Sequence, residues 1–151
     1  MKEELIAPCG MNCGICSSYL AMSHKLKDKG MALPYCSGCR PRNKQCSFLK
    51  KRCNTLGREQ VRYCFECHDF PCENLQRVDK RYQKLYRMSM IENLNYLKER
   101  GMRSFLLREK EKWKCPQCGD SVCCHNGICF NCGLDNLRNR KKIFRWSDEE
   151  S

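Results

Sequence analysis

The sequence has no long apolar run. No stretch approaches the roughly 20 consecutive apolar residues that a membrane-spanning helix needs, and mean hydropathy is −0.72, so membrane insertion is not expected. Met1–Pro8 reads MKEELIAP. It carries acids early and lacks both an apolar segment and a small-residue cleavage site, so nothing in it directs the chain out of the reducing cytosol. A cytoplasmic protein is expected, one in which disulfides do not persist. G-x-S-x-G, the P-loop, H-E-x-x-H and the dinucleotide fingerprint are also missing. No residue is therefore nominated for catalysis, and a binding or adaptor role is expected instead. Apolar material is thin as well, because the hydrophobic share of 41% counts sixteen cysteines in a chain of 151 residues. So small a core normally needs staples, and with disulfides excluded by compartment, metal ions are left.

Cysteine spacing maps the chain. A cysteine-rich block covers residues 1–72, a cysteine-free stretch 73–114, a second cysteine block 115–136, and a basic tail 137–151. The middle stretch reads as a helical connector. Leu75, Val78, Tyr82 and Leu85 recur at helical period, with Arg77, Arg81 and Lys84 opposite, and Asp69 and Pro71 suggest a start near Pro71. Ser89 and Glu92 form a capping-box pattern ahead of Ile91, Leu94 and Leu97; Gly101 stops that helix, and Met102 to Lys110 make a third. A short helix carrying Tyr19, Met22 and Leu26 is expected to end near Gly30. The fold class is thus a small, metal-stabilised, mainly α protein with minor β: a zinc-knuckle block, a helical connector and a C-terminal zinc ribbon.

The ribbon is the sharpest motif. Cys115-Pro116-Gln117-Cys118-Gly119 is followed, ten residues after Cys118, by Cys129-Phe130-Asn131-Cys132-Gly133. Two residues between cysteines let both sulfurs of a tight turn reach one ion about 2.3 Å away, and two such knuckles complete a tetrahedron. Cys123, Cys124 and His125 lie between the knuckles and are read first as packing and hydrogen-bonding residues, with a substitute ribbon ligand or a reactive thiol as the alternatives. In the first block Cys9, Cys13, Cys16, Cys36, Cys39, Cys53, Cys64, Cys67 and Cys72 are the candidate ligands. They include three further C-x2-C pairs, and the two blocks together suit about three zinc ions. Spacing does not say which cysteines share an ion, and His24 and His68 are left out of the ligand set.

The stretches Ala7-Pro8-Cys9-Gly10-Met11-Asn12-Cys13-Gly14-Ile15-Cys16, Cys36-Ser37-Gly38-Cys39-Arg40 and Cys64-Phe65-Glu66-Cys67-His68-Asp69-Phe70-Pro71-Cys72 resemble the DUF3795 proteins of bacteria and archaea. Ile91 to Leu94 and Trp113 to Gly133 are similar to the longer members. The resemblance implies a cysteine-rich, metal-binding protein with no established activity. The six residues between Cys46 and Cys53 exceed the interval usual in similar sequences, so Cys46 ranks as the weakest ligand.

Cys9, Cys13 and Cys16 also have the C-x3-C-x2-C spacing of some [4Fe–4S] sites. An iron–sulfur protein with a redox or electron-transfer role is therefore the alternative for the N-terminal block. Lys and Arg outnumber Asp and Glu by 29 to 17, a formal charge of +12. Four thiolates around Zn²⁺ carry about −2, so three such sites would leave roughly +6. Lys29 to Arg58 holds eight cations and no acid. Arg77, Lys80, Arg81, Lys84 and Arg87 follow, and the tail adds Arg138, Arg140, Lys141, Lys142 and Arg145, with Phe144 and Trp146 expected for stacking. RNA or DNA is a partner of the right charge, and a protein partner suits the same surface.

Overall fold

The computed structural model describes residues 1–43, 53 and 60–150. Among the described residues four α-helices carry the architecture: α1 (Ser17–Ser23), α2 (Glu73–Tyr86), α3 (Met90–Lys112) and α4 (Leu134–Asn139). Short 3-10 turns lie at Glu3–Leu5, Cys13–Ile15, Leu26–Lys29 and Cys64–Glu66. Among the described residues the β content is three isolated antiparallel bridges, Ile6 with Asn12, Lys114 with Ser121 and Val122 with Cys129. No helix is long and apolar enough to cross a membrane among the described residues.

Local chemistry accounts for the helix bounds. α2 buries Leu75 and half-buries Val78, Tyr82 and Leu85, the stripe its periodicity sets out, and it closes on Arg87 in the left-handed region (φ 54°). Its start differs from expectation. Cys72, with extended backbone, holds the cap position without a side-chain bond, and Asp69 takes no part in capping. The Pro71 carbonyl instead accepts from the Gln76 side chain at 2.7 Å. At α3, Ser89 Oγ accepts from the Glu92 N–H at 3.0 Å, as the capping pattern requires. Gly101, at φ 83° and ψ 168°, breaks the helical backbone into two segments. The first-block helix is shorter than expected: Lys25 adopts φ 52° and ends the α-helical ladder. Leu26 then begins a separate 3-10 turn, which terminates on Gly30 at φ 80°.

The core is shared among regions that cysteine spacing separates. One cluster joins Ile6, Cys9 and Ile15 of the first block to Leu75, Met90, Leu94 and Phe105 of the helices, to Trp113 at the end of α3 and to Cys124 of the second block. A second joins Leu20, Ala21 and Leu26 to Cys123, Ile128, Phe130 and Leu137. The residues expected as a tail also engage: Trp146 Nε1 donates to the Cys124 carbonyl at 2.9 Å, and the Arg87 guanidinium lies 4.0 Å over the Trp146 ring. Trp146 is thereby committed to packing, a role different from the stacking platform its sequence position suggests.

Buried polar groups fix the cysteine loop against α3. The Asn93 amide donates to the Gly10 carbonyl at 2.9 Å and its oxygen accepts from Arg108 at 2.7 Å. Asn12 reaches Glu109 at 3.4 Å and accepts from the Gly14 N–H at 2.9 Å. Gly10 is required at this crossing. It holds φ +88°, and a Cβ there would stand 2.6 Å from the Met90 carbonyl and 2.9 Å from Leu94 Cγ. Buried Asp79 ties α2 to α3 by accepting from Ser89 Oγ at 2.9 Å and the Ile91 N–H at 3.2 Å.

Candidate metal centre

After the bridge of Lys114 to Ser121, two backbone turns bring four cysteines together. The Gly119 N–H donates to the Cys115 carbonyl at 2.9 Å and the Gly133 N–H to the Cys129 carbonyl at 2.8 Å. Gly119 sits at φ +80°, a conformation that L side chains rarely adopt. The sulfurs of Cys115 and Cys132 lie 3.6 Å apart, those of Cys118 and Cys129 3.5 Å apart. All four fall within 4.8 Å of one another, a group that could hold a metal ion. Tetrahedral zinc with bonds of about 2.3 Å sets its sulfurs roughly 3.8 Å apart, so the cluster is close to that size. Cys115 and Cys129 are buried, and Cys118 and Cys132 face solvent.

Electrostatics divide these thiols. Backbone N–H groups of Cys118 and Gln117 draw the Cys115 thiol down to about 6. Asn131 and the Asp120 backbone lower Cys118. Burial raises Cys129, while the Cys115 and Cys118 sulfurs push Cys132 up to about 12. Two thiols are lowered and two raised, the pattern expected where one thiolate's charge opposes the next. A divalent cation at the centre removes that opposition.

Cys123, Cys124 and His125 stand apart from this cluster. The Cys124 N–H donates to the Ile15 carbonyl at 2.9 Å, and His125 Nδ1 accepts from the Ser17 N–H at 3.2 Å, which puts its proton on Nε2. All three side chains are buried. Burial lifts Cys123 to about 12, holds Cys124 well above its usual value and drops His125 to about 4. They bolt the second block onto the first, a packing role.

In the first block Cys13 Sγ accepts from the Cys39 N–H at 3.4 Å. Cys36 Sγ accepts from the Gly38 N–H at 3.4 Å and from Arg42 at 3.2 Å. Cys9 is buried in the core, and Cys16, at the start of α1, lies close to Cys123 and Cys124 of the second block. Cys53, Cys64, Cys67 and Cys72, with Val61, Phe70 and Leu75, line a cavity of about 30 Å³. Burial, then the neighbouring Cys53, Cys72 and Cys67, push the Cys64 thiol up to about 12. Cys67, His68 and Asp69 also lie within 4.8 Å of one another, a grouping that brings His68, left out of the expected ligand set, beside a candidate ligand. His68 and Asp69 are exposed and paired at 3.4 Å. Adjacency in sequence was the available signal. Cys46 and the cations Lys44, Lys50, Lys51, Arg52 and Arg58 lie outside the described residues.

Residues 5–77 match the family model described as protein of unknown function, DUF3795. This segment is a DUF3795 domain. It contains every candidate ligand of the first block and ends within α2, so α3 and the Cys115–Cys132 cluster lie beyond the DUF3795 match. Neither the curated proteins nor the solved structures include a significant match to the chain.

Proposed function

We propose that this is a zinc-dependent binding module that presents a rigid cationic ridge to a nucleic-acid backbone. The ridge carries the reading. Arg77, Lys80, Arg81 and Lys84 recur at helical spacing along α2, all are exposed, and none belongs to an ion pair among the described residues. Side chains three and four apart share a helix face, so the four cations form a continuous strip. Other cations have internal work: Arg40 donates to the Ile6 and Arg62 carbonyls at 3.0 and 2.9 Å, and Arg108 serves Asn93. Zinc in the Cys115–Cys132 cluster would be structural, because four thiolates close the coordination shell and leave no position for substrate.

The test is anisotropy of labelled single-stranded and duplex RNA and DNA across a salt series. Each phosphate neutralised contributes about 0.7 to 0.9 to the slope of log affinity against log salt. Changing Arg77, Lys80, Arg81 and Lys84 together to Gln should reduce that slope by roughly 3. Absence of salt-dependent binding, or a slope unchanged in the variant, would assign the ridge to solvation or to a protein partner.

A further inference from the structure

Of the two aromatic side chains that the C-terminal segment offers for stacking, the fold uses one and leaves the other in water. Trp146 is packed, with its Nε1 on the Cys124 carbonyl and Arg87 over its ring. Phe144 is 43% exposed, and among the described residues no other aromatic side chain is exposed. Its ring is braced against buried His125, with centroids 5.5 Å apart and planes at 79°. The backbone around it is tied down as well. Asp148 Oδ1 accepts from the Lys141 and Lys142 N–H groups at 2.9 and 2.7 Å, Arg140 donates to the Arg145 carbonyl at 2.9 Å, and the Asn126 amide donates to the Ile143 carbonyl at 3.0 Å. This framework shapes an open cavity of about 410 Å³, lined by Lys141, Lys142, Ile143, Phe144, Arg145 and Glu150. Sites that hold small molecules and cofactors run from about 300 to 1,000 Å³.

The lining selects the occupant. Three cations face one acid. Lys142 Nζ and the Arg145 guanidinium donate to the Glu150 and Phe144 carbonyls, each at 2.7 Å, and a neutral carbonyl leaves their charge uncompensated. Lys141 belongs to no ion pair among the described residues. The Glu150 carboxylate is engaged, accepting from the Trp146 N–H at 3.2 Å and standing 4.0 Å from Arg87. An exposed ring beside such cations suits a nucleobase with its phosphates, because every base has a π face and phosphate attracts Lys and Arg. Position agrees with this. Arg87, which touches both Trp146 and Glu150, follows Lys84, the last cation of the α2 ridge, by three residues. The cavity thus adjoins the end of the ridge.

We propose that this cavity takes a base of a single-stranded nucleic acid, stacked on Phe144 with the adjoining phosphates on Lys141, Lys142 and Arg145, while the neighbouring backbone follows α2. The inference rests on the ridge reading and adds a preference to it. Bases in a duplex are paired and stacked on one another and do not reach the ring, so a single strand binds more tightly than the duplex of the same sequence.

Anisotropy on the full chain, with one sequence presented as a single strand and as a duplex, tests it. Phe144→Ala should weaken the single strand by about fivefold to a hundredfold, the loss of one base–aromatic stack, and leave the duplex within about twofold. Phe144→Trp should restore the strand. Phe144 carries no charge, so the salt slope should stay unchanged in Phe144→Ala, whereas Lys141→Gln combined with Lys142→Gln should lower it by roughly 1 to 2. Thermal melts of the variants that match the unaltered chain establish that the segment remains docked. An affinity for the strand untouched by Phe144→Ala, a loss shared equally by strand and duplex, or a slope unmoved by the two lysine changes overturns the proposal even where the ridge binds. A Phe144 effect that persists while the fourfold ridge variant keeps its salt slope removes the ridge and retains the cavity. Absence of binding to either form overturns both.

Discussion

Replacing Gly10 by Ala probes the crossing on which the first cysteine loop is seated. Two penalties apply there and can be separated with a control glycine. A left-handed conformation costs a side-chain-bearing residue roughly 1 to 2 kcal/mol, and Gly10 and Gly30 both lie there, at φ +88° and +80°. At Gly30 an added Cβ meets nothing within 4 Å, so Gly30→Ala should show that penalty alone. At Gly10 the same atom collides with the Met90 carbonyl at 2.6 Å and Leu94 Cγ at 2.9 Å. The carbonyl belongs to the first turn of α3 and Leu94 is fully buried, so relief requires the loop and helix to part. Overpacking of this kind adds about 1 to 3 kcal/mol, giving a total of roughly 2 to 5 kcal/mol for Gly10→Ala. For a chain of this length each kcal/mol lowers Tm by about 2 to 4 °C. Parallel thermal melts of the two metal-loaded variants measure the difference. Equal melting temperatures would refute the close approach of the Cys9–Cys13 loop to α3.

Acid should destabilise the fold through His125. Burial lowers its pKa from 6.5 to about 4, so the folded state binds its proton less readily than the unfolded state. Stability is full above about pH 6.5 and declines towards pH 4 by roughly 3 kcal/mol; His125→Phe should flatten that part of a denaturation-against-pH series, and an unchanged profile would count against the burial. Asp79→Ala leaves Ser89 Oγ and the Ile91 N–H without their acceptor and should cost about 1 to 3 kcal/mol by urea denaturation. Trp146→Ala removes the bond to the Cys124 carbonyl and the Arg87 contact. It should cost about 2 kcal/mol and speed hydrogen exchange in residues 140–150; exchange at the unaltered rate would mean that this segment is not docked.

Local signals were legible wherever one residue type had one use. Ser89, Gly101 and the Leu75 stripe mark helices because caps, left-handed glycines and 3.6-residue periods act over a few neighbours. The Cys115 to Cys132 spacing foretold the convergence of four sulfurs for the same reason: each knuckle is a local turn. Long-range pairing was not legible. Nothing in the neighbourhood of Cys53 indicates that it meets Cys64, Cys67 and Cys72, and nothing near Ser17 indicates that its N–H seeks His125 Nδ1, 108 positions away. The cation count misled because it does not show which guanidiniums point inward. Arg40 falls in the acid-free cationic stretch of the sequence, yet it binds the Ile6 and Arg62 carbonyls of the fold. Trp146 looked free because its partners are distant in sequence: its ring packs on Gly127 and its Nε1 donates to the Cys124 carbonyl, 22 positions away.

Metal dependence of the Cys115–Cys132 cluster is tested most directly by elemental analysis of the natively purified chain before and after chelation, with the thermal melt followed in parallel. Bound zinc should be stoichiometric, lost in Cys118→Ser, and worth on the order of 10 kcal/mol to the structure around it, so its removal should abolish the cooperative transition of that region. A chain that melts cooperatively with no zinc at these four sulfurs, and whose melting is indifferent to the chelator, would contradict it.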